Sequence, residues 1–118
     1  MRKVEFYKSA SGKCPVQDHL DALTDKVVQK IAWTLRVVRD LDRVPTNYLK
    51  KLISTDDIWE VRVDLARNAY RLLGFFDGND LIILTNSFQK KTQKTPMGEI
   101  ELAEKRKRDY IARRQQHG

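Results

Sequence analysis

The chain has 118 residues, 41% hydrophobic and 33% charged, with a formal net charge of +7. That length suits one domain, 1–118. The composition excludes a disordered chain, and no apolar run approaches the roughly 18 residues a membrane helix needs. A single cysteine, Cys14, forbids an internal disulfide, and no apolar signal core follows Met1. A cytoplasmic protein is therefore expected, with no membrane partner.

Lys3 to Tyr7 alternates Val4 and Phe6 with Lys3 and Glu5, which predicts a short strand. Ser9 to Gly12 reads as a loop, and Pro15 can open a helix running to about Leu23. Thr24 or Asp25 can cap the next helix, whose apolar positions Val28, Ile31, Leu35 and Val38 are spaced three and four apart. Val27, Trp33, Val37 and Leu41 widen that stripe. Pro45 disfavours helix at Val44, so the end is expected near Asp42. Tyr48 to Leu52 reads as a connector bearing Lys50 and Lys51.

Ile58 to Leu65 predicts a strand with Trp59, Val61 and Val63 on one face and Glu60, Arg62 and Asp64 on the other. Ala66 to Asn68 forms a turn in which Asn68 tolerates a left-handed backbone. Ala69 to Phe76 is the next strand, and Asp77-Gly78 signals a hairpin. Leu81 opens a further strand reaching about Phe88, and Gln89 to Lys94 is a polar basic loop. Thr95 can cap a last helix with Pro96 at its first position; that helix carries Met97, Ile100, Ala103, Tyr110 and Ile111. The order β-α-α-β-β-β-α predicts an α+β domain with an antiparallel-dominated sheet of about four strands. The helices should cover the Trp59 face, leaving Glu60 and Arg62 open unless the terminal helix covers them.

No metal-ligand spacing is present, and His19 and His117 are isolated, so neither a metal nor a cofactor is expected. Gly12-Lys13 lacks the earlier glycine and the following Ser or Thr of a phosphate-binding loop. Glu60 and Asp64 each stand two residues from Arg62 on one face, which favours ion pairing over acid–base chemistry. A basic constellation remains. Residues 88–118 carry nine Lys and Arg against four acids, a net of +5 out of +7. Arg62 and Arg71 should approach across a short turn, and Lys90, Lys91 and Lys94 follow the fourth strand. Tyr70 and Phe88 supply rings nearby. Cations among aromatic rings suit single-stranded RNA, although each ring by itself is also an ordinary core residue. Arg71 must pair with an acid such as Glu60 or serve a phosphate; as an exposed arginine, it should be removable without harm to the fold.

The runs Ile58-Trp59-Glu60-Val61-Arg62-Val63, Tyr70-Arg71, Phe88-Gln89-Lys90-Lys91-Thr92-Gln93-Lys94-Thr95-Pro96 and Glu99-Ile100-Glu101-Leu102-Ala103 resemble the HigB branch of the RelE toxin family, including its phage-derived members. The resemblance spans nearly the whole chain. It implies a toxin that cuts mRNA in the ribosomal A site and is neutralised by a cognate antitoxin, often a helix-turn-helix protein. It further implies catalytic roles for Arg62, Arg71 and Lys91. The reading of the residues themselves adds Lys94 as a further catalytic candidate and RNA contacts at Lys90, Phe88, Tyr70 and Glu60. Glu60 departs from the pattern, since RelE itself has a lysine there, and Tyr110 lies too far along the last helix to match RelE's C-terminal tyrosine.

Cleavage without a metal can use the adjacent 2′-hydroxyl, given a base, an acid and fixed positive charge on the phosphate. The two arginines suit the last role. A lysine crowded by cations gives up its proton more readily, so Lys91 or Lys94 is one candidate base and Glu60 the other. The alternatives are a non-catalytic RNA- or antitoxin-binding member of the same fold and a DNA-binding regulator, the latter without a visible helix-turn-helix.

Overall fold

The computed structural model describes residues 1–117; Gly118 and the His117 side chain lie outside the described residues. The elements are β1 (Lys3–Phe6), α1 (Pro15–Asp21), α2 (Asp25–Asp40), β2 (Leu49–Lys51), β3 (Trp59–Leu65), β4 (Asn68–Asp77), β5 (Leu81–Lys90) and α3 (Met97–His117). They form one sheet in the order β1-β5-β4-β3-β2. All neighbours pair antiparallel except β1, which runs parallel to β5.

The fold is α+β with an antiparallel-dominated sheet, as expected, but it has five strands. The extra one is β2, read above as a connector. Three residues are too few to display an alternation, and it is pairing with Trp59–Val61 that makes this segment a strand.

Thr24 caps α2, its hydroxyl accepting from the Val27 N–H. Ile31, Thr34 and Val38 are buried against the sheet. Trp33, placed by its spacing in that stripe, is instead 41% exposed; its ring meets Tyr48 edge-on and lies beneath Lys30. The helix stops at Asp40, where the Arg2 guanidinium donates to the carbonyls of Val38, Leu41 and Asp42. A cation on the last carbonyls is a favourable C-cap.

The sheet is covered on both faces. Val61, Val63, Leu72, Ile82 and Leu84 pack with α1 and α2. On the reverse, Ala103 of α3 packs with Ile58 and Leu73, and Tyr110 with Phe75 and Ile83. Each large side chain so buried contributes roughly 1.5–3 kcal/mol. The terminal helix therefore covers part of the face that carries Glu60 and Arg62.

Two backbone details shape the site. The left-handed residue of the β3–β4 turn is Ala66 (φ 55), not Asn68, which already belongs to β4. Further along, Leu73 opposes Asn86 while Gly74 opposes Leu84, leaving Thr85 as the extra residue of a bulge. The Thr85 carbonyl accepts from Arg106 of α3 at 2.9 Å. A Cβ on Gly74 would sit 2.3 Å from the Ile83 carbonyl oxygen. Gly74→Ala is expected to destabilise the protein by about 2 kcal/mol, read as a lowered urea midpoint.

Beyond β1, the second half of β5 is flanked by α1, where His19 Nδ1 lies 2.6 Å from Ser87 Oγ. Burial pushes the His19 pKa below its ordinary 6.5, with the Glu99 carboxylate pulling the other way. The unfolded chain thus binds this proton more readily. The stabilising contribution is whole above 6.5 and is lost as pH falls through the lower folded value. His19→Gln is expected to flatten the acid side of a Tm-against-pH curve over that window.

Candidate nucleic-acid interface

Period-two alternation and the strand register together build the site. Val63 opposes Tyr70, which sets Arg62 directly opposite Arg71, and Arg71 directly opposite Phe88. The next row on the same face is Asp64, Ala69 and Lys90. The contacts of α3 begin at Ile58, Leu73 and Phe88, so these rows remain open beside the helix start. There they floor a groove of about 780 Å³ lined by Arg62, Arg67, Asn68, Ala69, Arg71 and residues 89–93. Five of the lining residues are cations, and the one acid in these rows, Asp64, is bonded to Arg71. A concave surface with an excess of positive charge concentrates field lines and draws polyanions.

Beneath the groove lies a buried carboxylate. Glu60 is 3% exposed, and its Oε1 is 3.6 Å from Nε of both Arg62 and Arg71. The Thr95 hydroxyl donates to Oε2. Arg71 Nη1 donates to the Tyr70 carbonyl at 2.9 Å and to Asp64 Oδ1 at 3.1 Å. The Nε atoms of both arginines are buried without a hydrogen-bond partner. The guanidinium groups are thus oriented by charge, with donor capacity left over. Glu60 and Asp64 balance the two arginines, so the net positive charge of the groove comes from Arg67, Lys90 and Lys91 beside them.

Several expectations need correction. Arg71 is 4% exposed, not a surface residue. It is sunk between two strands with Glu60 and Phe88 around it, so its removal would disturb the fold. Tyr70 lies on the opposite face of β4, buried in the core under α1 and α2. Adjacent residues of a strand point to opposite faces, so its ring cannot reach the groove. Glu60 is not open to solvent because the approach to α3 covers it. Thr95 turns its hydroxyl to Glu60 rather than to the helix; the Pro96 carbonyl accepts from Glu99 and Ile100 instead.

Phe88 is half-buried against Ile58, Leu73 and Ala103, beside Arg71. Lys90 belongs to β5 and not to the loop, and Lys91 opens the loop at the groove wall. Lys94 is exposed but outside the lining; its carbonyl accepts from Thr92 within the loop. Arg67 was missed. Its signal was available, since a two-residue turn between two arginine-bearing strands must project beside them.

No helix among the described residues is long and apolar enough to cross a membrane. No curated protein matches the chain. The family model of the phage-derived protein Gp49-like (DUF891) matches residues 18–108, which takes in Glu60, Arg62, Arg71 and the whole basic groove. The chain belongs to this Gp49-like family of phage-derived proteins, a family associated with RelE-like toxins.

Proposed function

We propose that the protein is the toxin of a toxin–antitoxin pair of the HigB type, an endoribonuclease that needs no metal and cuts mRNA in the ribosomal A site. It works in the cytoplasm and is neutralised by a cognate antitoxin. The observation that carries this reading is the opposed pair Arg62 and Arg71 in a groove lined by five cations.

In this reading a phosphodiester enters the groove and its non-bridging oxygens take the free donor capacity of the arginines. Fixed charge there stabilises the extra negative charge of the transition state and needs no reorganisation. The adjacent 2′-oxygen attacks phosphorus, its proton passing to a base, and the bond to the 5′-oxygen breaks as that oxygen takes a proton. The products are a 2′,3′-cyclic phosphate and a 5′-hydroxyl end. Glu60 is held by two arginines and a hydroxyl, so it serves better as a positioning residue than as the base. Lys91, exposed at the groove wall, is the candidate for proton transfer; Lys90 and Arg67 are candidates for flanking phosphates.

Induced expression should arrest growth and leave transcripts cut within reading frames, and purified protein should cut mRNA on programmed ribosomes. Binding to ribosomes or RNA with no cut would instead favour a non-catalytic member of the fold. Among the lysines, Lys91→Ala is expected to lower single-turnover cleavage by roughly 10²–10⁴-fold at saturating ribosome. Lys90→Ala should mainly weaken binding and reduce its salt slope by about one. Lys94→Ala should do little, since Lys94 lies outside the groove lining.

A further inference from the structure

A carboxylate set among arginines ordinarily closes on one of them. Its two oxygens then meet two N–H groups of one guanidinium in a fork, the strongest form of the pair. Glu60 forms no such fork. Its Oε1 stands 3.6 Å from Nε of Arg62 and 3.6 Å from Nε of Arg71, beyond hydrogen-bond reach, and neither Nε has another partner. Its Oε2 instead accepts from the Thr95 hydroxyl.

Thr95 forgoes an easier partner to do this. A threonine just ahead of a helix ordinarily accepts from an N–H of the first turn. Here the N–H groups of Glu99 and Ile100 go to the Pro96 carbonyl, and the hydroxyl goes to Glu60. A local rule broken in this way marks a position used for something else.

We infer that Thr95 is a positioning residue, which holds Glu60 off the two arginines and so keeps their outer N–H groups open to a phosphate. The inference rests on the phosphate-binding reading of the groove. With Oε2 engaged, Glu60 offers a single oxygen, equidistant from the two Nε atoms. Its charge still orients both guanidinium groups. Arg71 already spends Nη1 on the Tyr70 carbonyl and on Asp64, which leaves Nη2. A fork from Glu60 would take Nε together with Nη2, the last donor Arg71 has for a ligand. Arg62, the more exposed of the two, has no hydrogen bond on either Nη among the described residues.

The same contact closes the basic loop. Lys90 ends β5 and Lys91 opens the loop at the groove wall. Thr95 ends the loop on Glu60. Both ends of the loop are therefore fixed to the sheet, and the candidate for proton transfer shares an anchor with the arginine pair.

The test compares Thr95→Val with Thr95→Ser in the full chain. Valine keeps the shape and removes the hydroxyl, whereas serine keeps the hydroxyl. In proton–nitrogen NMR, the Nε–H signal of one arginine should move downfield in Thr95→Val, as Glu60 closes on it, and stay in place in Thr95→Ser. Single-turnover cleavage on programmed ribosomes should fall about tenfold with valine, on the scale of one charge-assisted hydrogen bond, and return with serine. The thermal midpoint should not fall, because the new fork replaces the lost bond. Unchanged arginine signals, parental cleavage by Thr95→Val, or a midpoint that drops in step with activity would each overturn the inference. A parent chain that binds short single-stranded RNA but never cuts it sinks the nuclease reading alone. Thr95→Val should then weaken that RNA binding about tenfold, and undiminished affinity would overturn the inference.

Discussion

Arg71→Lys is expected to lower single-turnover cleavage on ribosomes by about 10²–10³-fold while the protein stays folded. Lysine keeps the positive charge next to Glu60, so the buried carboxylate retains a counter-ion. It loses the planar fork that grips two phosphate oxygens at once. A thermal melt within a few degrees of the parent, with cleavage lost at saturating ribosome, is the expected pair of results. Full cleavage by the folded variant would remove Arg71 from the site. Arg71→Ala is the poorer probe. It leaves Glu60 buried with one cation fewer and is expected to cost stability as well as activity.

Glu60→Ala is expected to destabilise the protein by about 3 kcal/mol, read from urea unfolding, because it removes the buried counter-ion shared by the two arginines and leaves Arg71 only the exposed Asp64. Arg71 bears most of that cost, since its side chain is 5% exposed against 31% for Arg62. The Thr95 hydroxyl would also lose its acceptor. Replacing both members, Glu60→Leu with Arg71→Met, should recover much of the stability, as apolar pairs of similar volume often do, yet remain inactive. If Glu60→Ala alone is neutral, water reaches the pair and the carboxylate does not hold the arginines.

Much of the site's layout is legible in the sequence. Alternation from Trp59 to Asp64 gives the faces of β3, and a short turn at Ala66-Arg67 forces Arg62 and Arg71 together. What could not be read depends on tertiary contact. α3 carries its apolar residues, Ile100, Ala103 and Tyr110, sparsely among ten charged ones, so its sequence hides that it covers the sheet. The sequence leaves open whether that helix covers the face, and without the cover Glu60 and Arg71 look solvent-facing. Tyr70 looked close to Arg71 through chain adjacency, though neighbours on a strand face apart. The β1–β5 pairing joins residues 3–6 to residues 81–84, a separation no local pattern reports.

That last pairing has a kinetic consequence. A sheet whose first strand must wait for its fifth has high contact order, and the closing entropy is spent before the contacts return it. The Glu60 cover comes later still, with Thr95 and α3. During synthesis the strands bearing Arg62 and Arg71, with their counter-ions Glu60 and Asp64, emerge before Thr95 and α3, which enclose them. Refolding should accordingly be slower than for a helical chain of this length, and the arginine pair should acquire its final geometry in the last step, together with the docking of α3.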